Sequence, residues 1–240
     1  GTVTASDLIA LNGLTTGIIN VSSATGVTGS EADITAIYAA NTAGTITGLG
    51  NEAITVSGGS STDLTAINAL TTGEVTLTVS DTSQTASSLN SLDAASTETV
   101  NASTIATLTG AAADINTAYA SAGITGLGDE AVTLTDTSVA ASTLNTLNAN
   151  TTGTVDASTV TTITGSVEDA NTMYATAGIS GGGDEAVTIS DTTVAASDLN
   201  TLDGYTTGAI DASTLTTITG SGSDAQTAFD SAGISGLTFD

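Results

Sequence analysis

Apolar and polar residues alternate in short stretches along this chain. Val132-Thr-Leu-Thr, Val155-Asp-Ala-Ser and Val187-Thr-Ile-Ser each place a small aliphatic residue at every second position, the period of a half-buried strand. Between these stretches the period lengthens. Val167, Ala170, Met173, Tyr174 and Ala177 fall on one face of a short helix. Ser166-x-x-Asp169 opens it like a capping box with Asp in place of Glu. Gly178 followed by Ile179 is expected to close it as a left-handed glycine backed by an apolar contact. The start recurs at Ser30/Asp33 and Ser221/Asp224, with Asp114 alone surviving in another copy, and Gly123 and Gly233 repeat the stop. A second helix type carries Ser142, Leu144, Asn145 and Leu147, echoed at Ser197, Leu199, Asn200 and Leu202.

These elements recur at an offset of 55, which carries Asp81 to Asp136 to Asp191 and Tyr119 to Tyr174 to Phe229. Tyr38 and Tyr119 are separated by one such period and a further 26, so an extra half-unit interrupts the phase. Each period divides into a shorter sub-unit, 23 from Val132 to Val155, and a longer one, 32 from Val155 to Val187. The longer contains a second β-rich piece, Val160-Thr-Thr-Ile-Thr.

A strand and a short helix cannot bury their apolar faces alone, and stacking repeats supplies the missing core. The pattern therefore predicts an α/β fold, a right-handed solenoid of stacked strand–helix coils. Residues 1–240 form one array, degenerate over 1–75 and regular over 76–240, and read as an excerpt of a longer chain. About nine coils at the strand spacing of about 4.8 Å give a rod roughly 40 Å long. The alternative is an all-β parallel helix, because threonine is abundant and helix propensity modest.

Composition narrows the function. The 240 residues include 25 Asp and Glu but no Lys, Arg or His, a net charge of −25. Nucleic acids are bound through Lys and Arg, so nucleic-acid binding is excluded, and direct attraction to anionic membranes fails likewise. Triads, Schiff bases and arginine fingers lack their residues. A carboxylate glycosidase pair survives in principle, but there is no Trp to hold a sugar, and the chain reads as no enzyme. Cysteine is absent, so disulfides say nothing about compartment. No apolar run approaches the length of a membrane span. Hydrophobic residues, mostly small, still make up 39%, which suits a thin layered core. Proline is absent, in keeping with regular backbone pairing.

Acidic residues recur at repeat offsets: Asp129/Glu130 with Asp184/Glu185, Asp136 with Asp191, and Asp156 with Asp211. Stacking would bring some into ladders of like charge, which Ca²⁺ would relieve. These eight are the candidate calcium ligands, and a solvated acidic face is the competing explanation. The paired carboxylates recur, whereas an active site occurs once, so a turn role is expected for them. The 52 threonines raise the alternative of an ice-binding solenoid with ranked hydroxyls, although threonine suits strand surfaces without such a role. The sequons at Asn20, Asn101 and Asn150 are expected by chance in a chain rich in Ser and Thr.

The periodic phrases Val-Thr-Leu-Thr-Asp-Thr…Ala-Ser-x-Leu-Asn-x-Leu and Val-Asp-Ala-Ser…Ile-Thr-Gly-Ser resemble the repeat regions of giant bacterial cell-surface proteins. The similarity is to the adhesins and motility-associated surface proteins of marine cyanobacteria. It implies an extracellular location, a role as adhesin stalk, spacer or filament subunit, and calcium as a stiffening ion. Calcium-responsive binding is the alternative within the same setting. Independently of the resemblance, the unpaired strand edges and apolar ends of a stacked-repeat excerpt make further repeats of the same chain or end-to-end copies of it the expected partners. No catalytic residue is carried over, because no such motif is present.

Overall fold

The computed structural model describes residues 1–57, 61–96 and 99–238, without the side chains of 61–63. Its secondary structure is alternating strand and helix with parallel sheets, which sets aside the all-β alternative. The chain forms two compact units, residues 1–107 with 117–127, and residues 108–116 with 128–240.

The first unit contains β1 (Thr2–Thr4), α1 (Ala5–Leu14), β2 (Ile19–Asn20), β3 (Gly26–Gly29), α2 (Glu31–Ala43), β4 (Ile46–Thr47), β5 (Ala53–Ser57), α3 (Ser61–Asn68), β6 (Val75–Thr78), β7 (Ser83–Thr85), α4 (Ala86–Ala95) and β8 (Val100–Asn101). β9 (Thr107–Gly110) and α5 (Ala112–Ala120) are divided between the units, and β10 (Ile124–Thr125) returns to the first. Its main sheet is parallel in the order β1-β3-β5-β6-β8-β10, and β2 pairs with β4. Aliphatic residues stack in register, Val27 on Ile54 on Val75 and Leu77 on Val100 on Ile124. All six are buried.

The second unit continues with β11 (Ala131–Leu134), β12 (Ser138–Ala140), α6 (Ala141–Asn150), β13 (Val155–Asp156), β14 (Thr162–Gly165), α7 (Val167–Ala175), β15 (Ile179–Ser180), β16 (Ala186–Ile189), β17 (Thr193–Ala195), α8 (Ala196–Tyr205), β18 (Ile210–Asp211), β19 (Thr217–Thr219), α9 (Gly222–Asp230) and β20 (Ile234–Ser235). One sheet runs β9-β11-β13-β15, a second β12-β14-β16-β18-β20, and β17 pairs with β19. Helix packs on helix in chain order, α6 on α7, α7 on α8 and α8 on α9. The core lies between strands and helices. Val132, Leu134, Val155, Val187, Ile189 and Ile210 enter from the sheets, and Leu144, Leu147, Met173, Leu199 and Leu202 from the helices.

Two periods coexist in this unit. Helices α6 to α9 start at Ala141, Val167, Ala196 and Gly222, so two helix steps complete the sequence repeat. Strand steps are shorter: Val132 pairs with Val155, Val155 with Ile179, Ile163 with Val187, and Val187 with Ile210. Two of them fall short of the repeat, and the sheet slips relative to the helices. β14 immediately precedes α7, whereas β18, two strands further along the same sheet, follows α8. Each period adds a short strand that opens a new strand column, β12 and then β17 one repeat later. The shorter sequence return, from Val132 to Val155, is a true rung. The longer return is not: Val155 pairs with Ile179, and Val187 pairs with Ile163 and Ile210. The sequence phrase recurs at Val187, but strand pairing links positions 23 or 24 apart.

The capping boxes form as the sequence predicts. Ser30, Ser166 and Ser221 accept from the amides of Asp33, Asp169 and Asp224 at 3.2, 3.0 and 3.1 Å. The glycine stop is corrected. Gly123, Gly178 and Gly233 are not among the glycines with positive φ, and the one left-handed helix cap among the described residues is Gly44, φ 80°. What these positions need is space, because a Cβ at Gly178 would lie 2.0 Å from Asn148 Oδ1.

Candidate functional site

The most distinctive chemistry is a buried glutamate in the turn between repeats. Glu52, Glu130 and Glu185 are 2%, 0% and 1% exposed in a chain without a single basic side chain. A bare carboxylate inside a protein is costly unless hydrogen bonds replace its water. Here the turn itself supplies them. The phrase Gly-x-Gly-Asn/Asp-Glu (48–52, 126–130, 181–185) holds its second glycine at φ 137°, 140° and 125°. That backbone folds the glutamate side chain back on the glycine amide. Gly50 N donates to both oxygens of Glu52, and Gly128 N to both of Glu130, at 2.9 and 3.1 Å in each case. Gly183 N donates to Glu185 Oε2 at 2.7 Å.

A tyrosine from the preceding helix adds a donor. Tyr174 Oη reaches Glu185 Oε2 at 3.0 Å, and Tyr38 Oη reaches Glu52 Oε1. Burial, followed by the adjacent glutamate, raises both phenols well above their ordinary pKa. The two rings therefore remain protonated donors.

The same glutamates are held through their carbonyls by the next repeat. Thr71, Thr151 and Thr206 donate Oγ1 to the carbonyl oxygens of Glu52, Glu130 and Glu185 at 2.9, 2.7 and 2.8 Å. Each threonine opens a Thr-Thr-Gly turn whose glycine amide donates back to its hydroxyl at 2.9 Å. The arrangement binds one repeat to the next.

Six of the eight acidic residues singled out in the sequence divide among three tasks, and two lie at the surface. Glu130 and Glu185 are the buried carboxylates just described, and their neighbours Asp129 and Asp184 lie nearer the surface. Asp136 and Asp191 cap helices of the preceding repeat, accepting at Oδ2 from Ala112 N at 2.7 Å and Val167 N at 2.8 Å. A negative charge there also meets the positive end of the helix dipole. Asp156 and Asp211 close Asx turns, accepting at Oδ1 from the amides of Ser158 and Ser213, both at 3.0 Å. The Ser158 amide and then its hydroxyl hold the Asp156 carboxyl below its ordinary pKa. For Asp211 the Ser213 hydroxyl acts first, then the amide. Asn20 and Asn101 make the same turns at 3.0 and 3.1 Å, so the turn needs the oxygen and not the charge.

Among the described residues, no three acidic side chains gather in a group that could hold a metal ion. No described helix is long and apolar enough to cross a membrane. A surface cavity of about 410 Å³ opens beside Tyr38, lined by Asn41, Leu49 and Leu70 among others but by no carboxylate.

Helix-to-helix links were not singled out in the sequence. Asn145, Asn171 and Asn200 donate Nδ2 to the carbonyls of Asp169, Asp198 and Asp224, the third residues of the following helices, at 3.0, 2.9 and 3.0 Å. Glu52, the pairing of Tyr38 and Tyr174 with Glu52 and Glu185, and the Thr-Thr-Gly turns were likewise missed. Their signal was present in the co-occurrence of Gly-x-Gly-Asn/Asp-Glu with a Thr-Thr-Gly turn shortly after it. In comparisons with protein-family models, curated proteins and solved structures, nothing matches this chain.

Proposed function

We propose that this chain is a right-handed solenoid segment with a mechanical role on the outside of a bacterium, as adhesin stalk, spacer or filament subunit. The observation that carries the reading is where the polar side chains go. At Glu130/Thr151 and Glu185/Thr206, at Asp136 and Asp191, and at Asn145, Asn171 and Asn200, the polar groups are committed to the adjoining repeat. Chemistry repeated in every period multiplies joints, whereas a catalytic or ligand site would need one copy to differ. Threonine hydroxyls are committed in the same way: Thr159 and Thr214 donate to carbonyls of Asp136 and Asp191 at 3.0 and 2.8 Å. That favours a structural use of threonine over an ice-binding rank.

Net charge of one sign keeps such a surface soluble and resistant to self-collapse, a property suited to seawater-like salt. The location is tested by antibody labelling and protease shaving of intact source cells. Labelling of unpermeabilised cells supports the reading; an epitope reached only after lysis overturns it. Deleting one 55-residue period tests the stacked repeats, because a chain built of repeats should stay folded by circular dichroism whereas a single closed core would not.

A further inference from the structure

One copy of the repeated joint differs from its counterpart. Tyr38, Glu52 and Thr71 form in the first unit the joint that Tyr174, Glu185 and Thr206 form in the second. The chain around it has changed length. Tyr38 and Glu52 are 14 positions apart where Tyr174 and Glu185 are 11, and Glu52 and Thr71 are 19 apart where Glu185 and Thr206 are 21. The surplus lengthens α2 to 13 residues against 9 in α7. The deficit shortens α3 to 8 residues against 10 in α8. The last turn of α2 therefore lacks a full partner in α3. The cavity of about 410 Å³ lies at that mismatch, between Asn41 and Thr42 of α2 and Ala69 and Leu70 just past α3.

The two copies also differ in what lies against the tyrosine. In the second unit Tyr205 precedes Thr206, and its ring stacks on Tyr174 with centroids 5.9 Å apart and planes at 20°. In the first unit Leu70 precedes Thr71. Leu70 is 36% exposed and lines the cavity with Tyr38 and Leu49. Stacked rings attract one another beyond the area they bury; the first unit keeps one tyrosine of that pair and has a cavity in place of the second ring. Its volume falls in the range of about 300–1,000 Å³ common to small-molecule sites. The polar part of the wall is uncharged. Leu49 N donates to Asn41 Oδ1 at 3.3 Å, which leaves Asn41 Nδ2 as a donor, and no carboxylate lines the cavity. The net charge of −25 disfavours an anionic guest.

We propose that the cavity between α2 and α3 binds a neutral aromatic ring of the phenol class, held against Tyr38 as Tyr205 is held against Tyr174. Leu49 and Leu70 supply the apolar wall, and Asn41 Nδ2 is the donor for the guest's hydroxyl. A free phenol and a tyrosine side chain of a partner present the same chemistry. The site goes beyond the mechanical role and does not depend on it.

The test is titration of the full chain with phenol, followed through amide chemical shifts by NMR. Saturable shifts confined to the surroundings of Tyr38, Leu49 and Leu70 are expected, half-complete in about the millimolar range for so small a ligand. Leu70→Tyr supplies from within the ring that Tyr205 supplies in the second unit. An internal competitor of this kind should weaken phenol binding by about tenfold or more. If Leu70→Tyr unfolds by circular dichroism, Ala39→Leu, at an exposed position lining the cavity, narrows the site instead. Cyclohexanol keeps the hydroxyl and the six-membered ring without the π face, and should bind about fivefold more weakly. N-acetyltyrosinamide separates the sources, and either result supports the site: binding as tight as phenol assigns the ring to a partner's side chain, and failure to bind assigns it to a free phenol. Absence of saturable shifts with phenol, equal binding of cyclohexanol, or phenol binding unchanged in the folded variant overturns the proposal.

Discussion

Gly153 lies so close to Glu130 that a Cβ added to it would sit 2.2 Å from the Glu130 carbonyl oxygen. Gly73 and Gly208 stand in the same relation to Glu52 and Glu185, at 2.2 and 2.1 Å. None of the three has positive φ, so glycine is required here by contact between repeats. Gly153→Ala forces backbone against backbone and should cost about 3 kcal/mol, the upper range for overpacking, measured by urea unfolding.

Gly178→Ala offers the contrasting case, since its Cβ would meet the end of a side chain, Asn148 Oδ1. The expected cost is smaller, about 1–2 kcal/mol. Removing the obstacle should remove most of it. Gly178→Ala in an Asn148→Ala background should cost less than about 0.5 kcal/mol, as a coupled pair requires. A cost unchanged in that background would show that Asn148 is not the obstacle at this position.

Tyr174→Phe deletes a donor to a buried carboxylate. A hydrogen bond to a charged group contributes about 1.5–3 kcal/mol, and a loss of that size is expected. Phe229 stands one repeat beyond Tyr174, so this helix type accepts the ring without its hydroxyl, and the loss reports on the hydroxyl's contacts with Glu185 and Thr206.

Stability should fall at alkaline pH. Tyr38 and Tyr174 have pKa values raised above the ordinary 10.0 by burial and by Glu52 and Glu185. Their contribution is fully present below pH 10 and is lost as pH rises beyond it, because the unfolded chain then releases protons that the folded chain holds. The chain has no His, Cys or Lys, so the loss at alkaline pH is assigned to tyrosine ionisation. Absorbance titration of the four tyrosines should show at least two ionising late. Early ionisation of all four would contradict the buried pairs.

Salt should stabilise the fold. With 25 acidic residues and no basic side chain, every long-range side-chain interaction is repulsive, and screening weakens it over about 10 Å at 0.1 M salt. Melting temperature should rise with NaCl, and Ca²⁺ should do no more than Mg²⁺ at equal ionic strength. A rise of several degrees peculiar to Ca²⁺, reversed by chelation, would instead favour the calcium-responsive module.

Much of the architecture was legible in the residues. The capping serines and their aspartates, the helix face of Val167, Ala170 and Met173, and the strand alternation at Val132 and Leu134 all depend on contacts within a few positions, which local sequence encodes. The repeat phase was visible because the same joint is built again and again. What could not be read was which rung meets which. Val155 pairs with Ile179 and not with Val187, because strand pairing steps by 23 or 24 positions and the phrase repeat does not. The same limit applies to the acids. Asp136, Asp156, Asp191 and Asp211 look alike in the repeat, as do Glu130 and Glu185 beside them. Stacking decides that Asp136 and Asp191 cap the preceding helix and that Glu130 and Glu185 are buried. The Asx turns and the glycine-amide contacts, by contrast, are made two positions away. The chain by itself determined its elements, its charge and its repetition, which are properties of neighbours along the backbone. The tertiary structure decided the partners of those elements, because they come from distant positions in the chain that meet only when one repeat lies on the next.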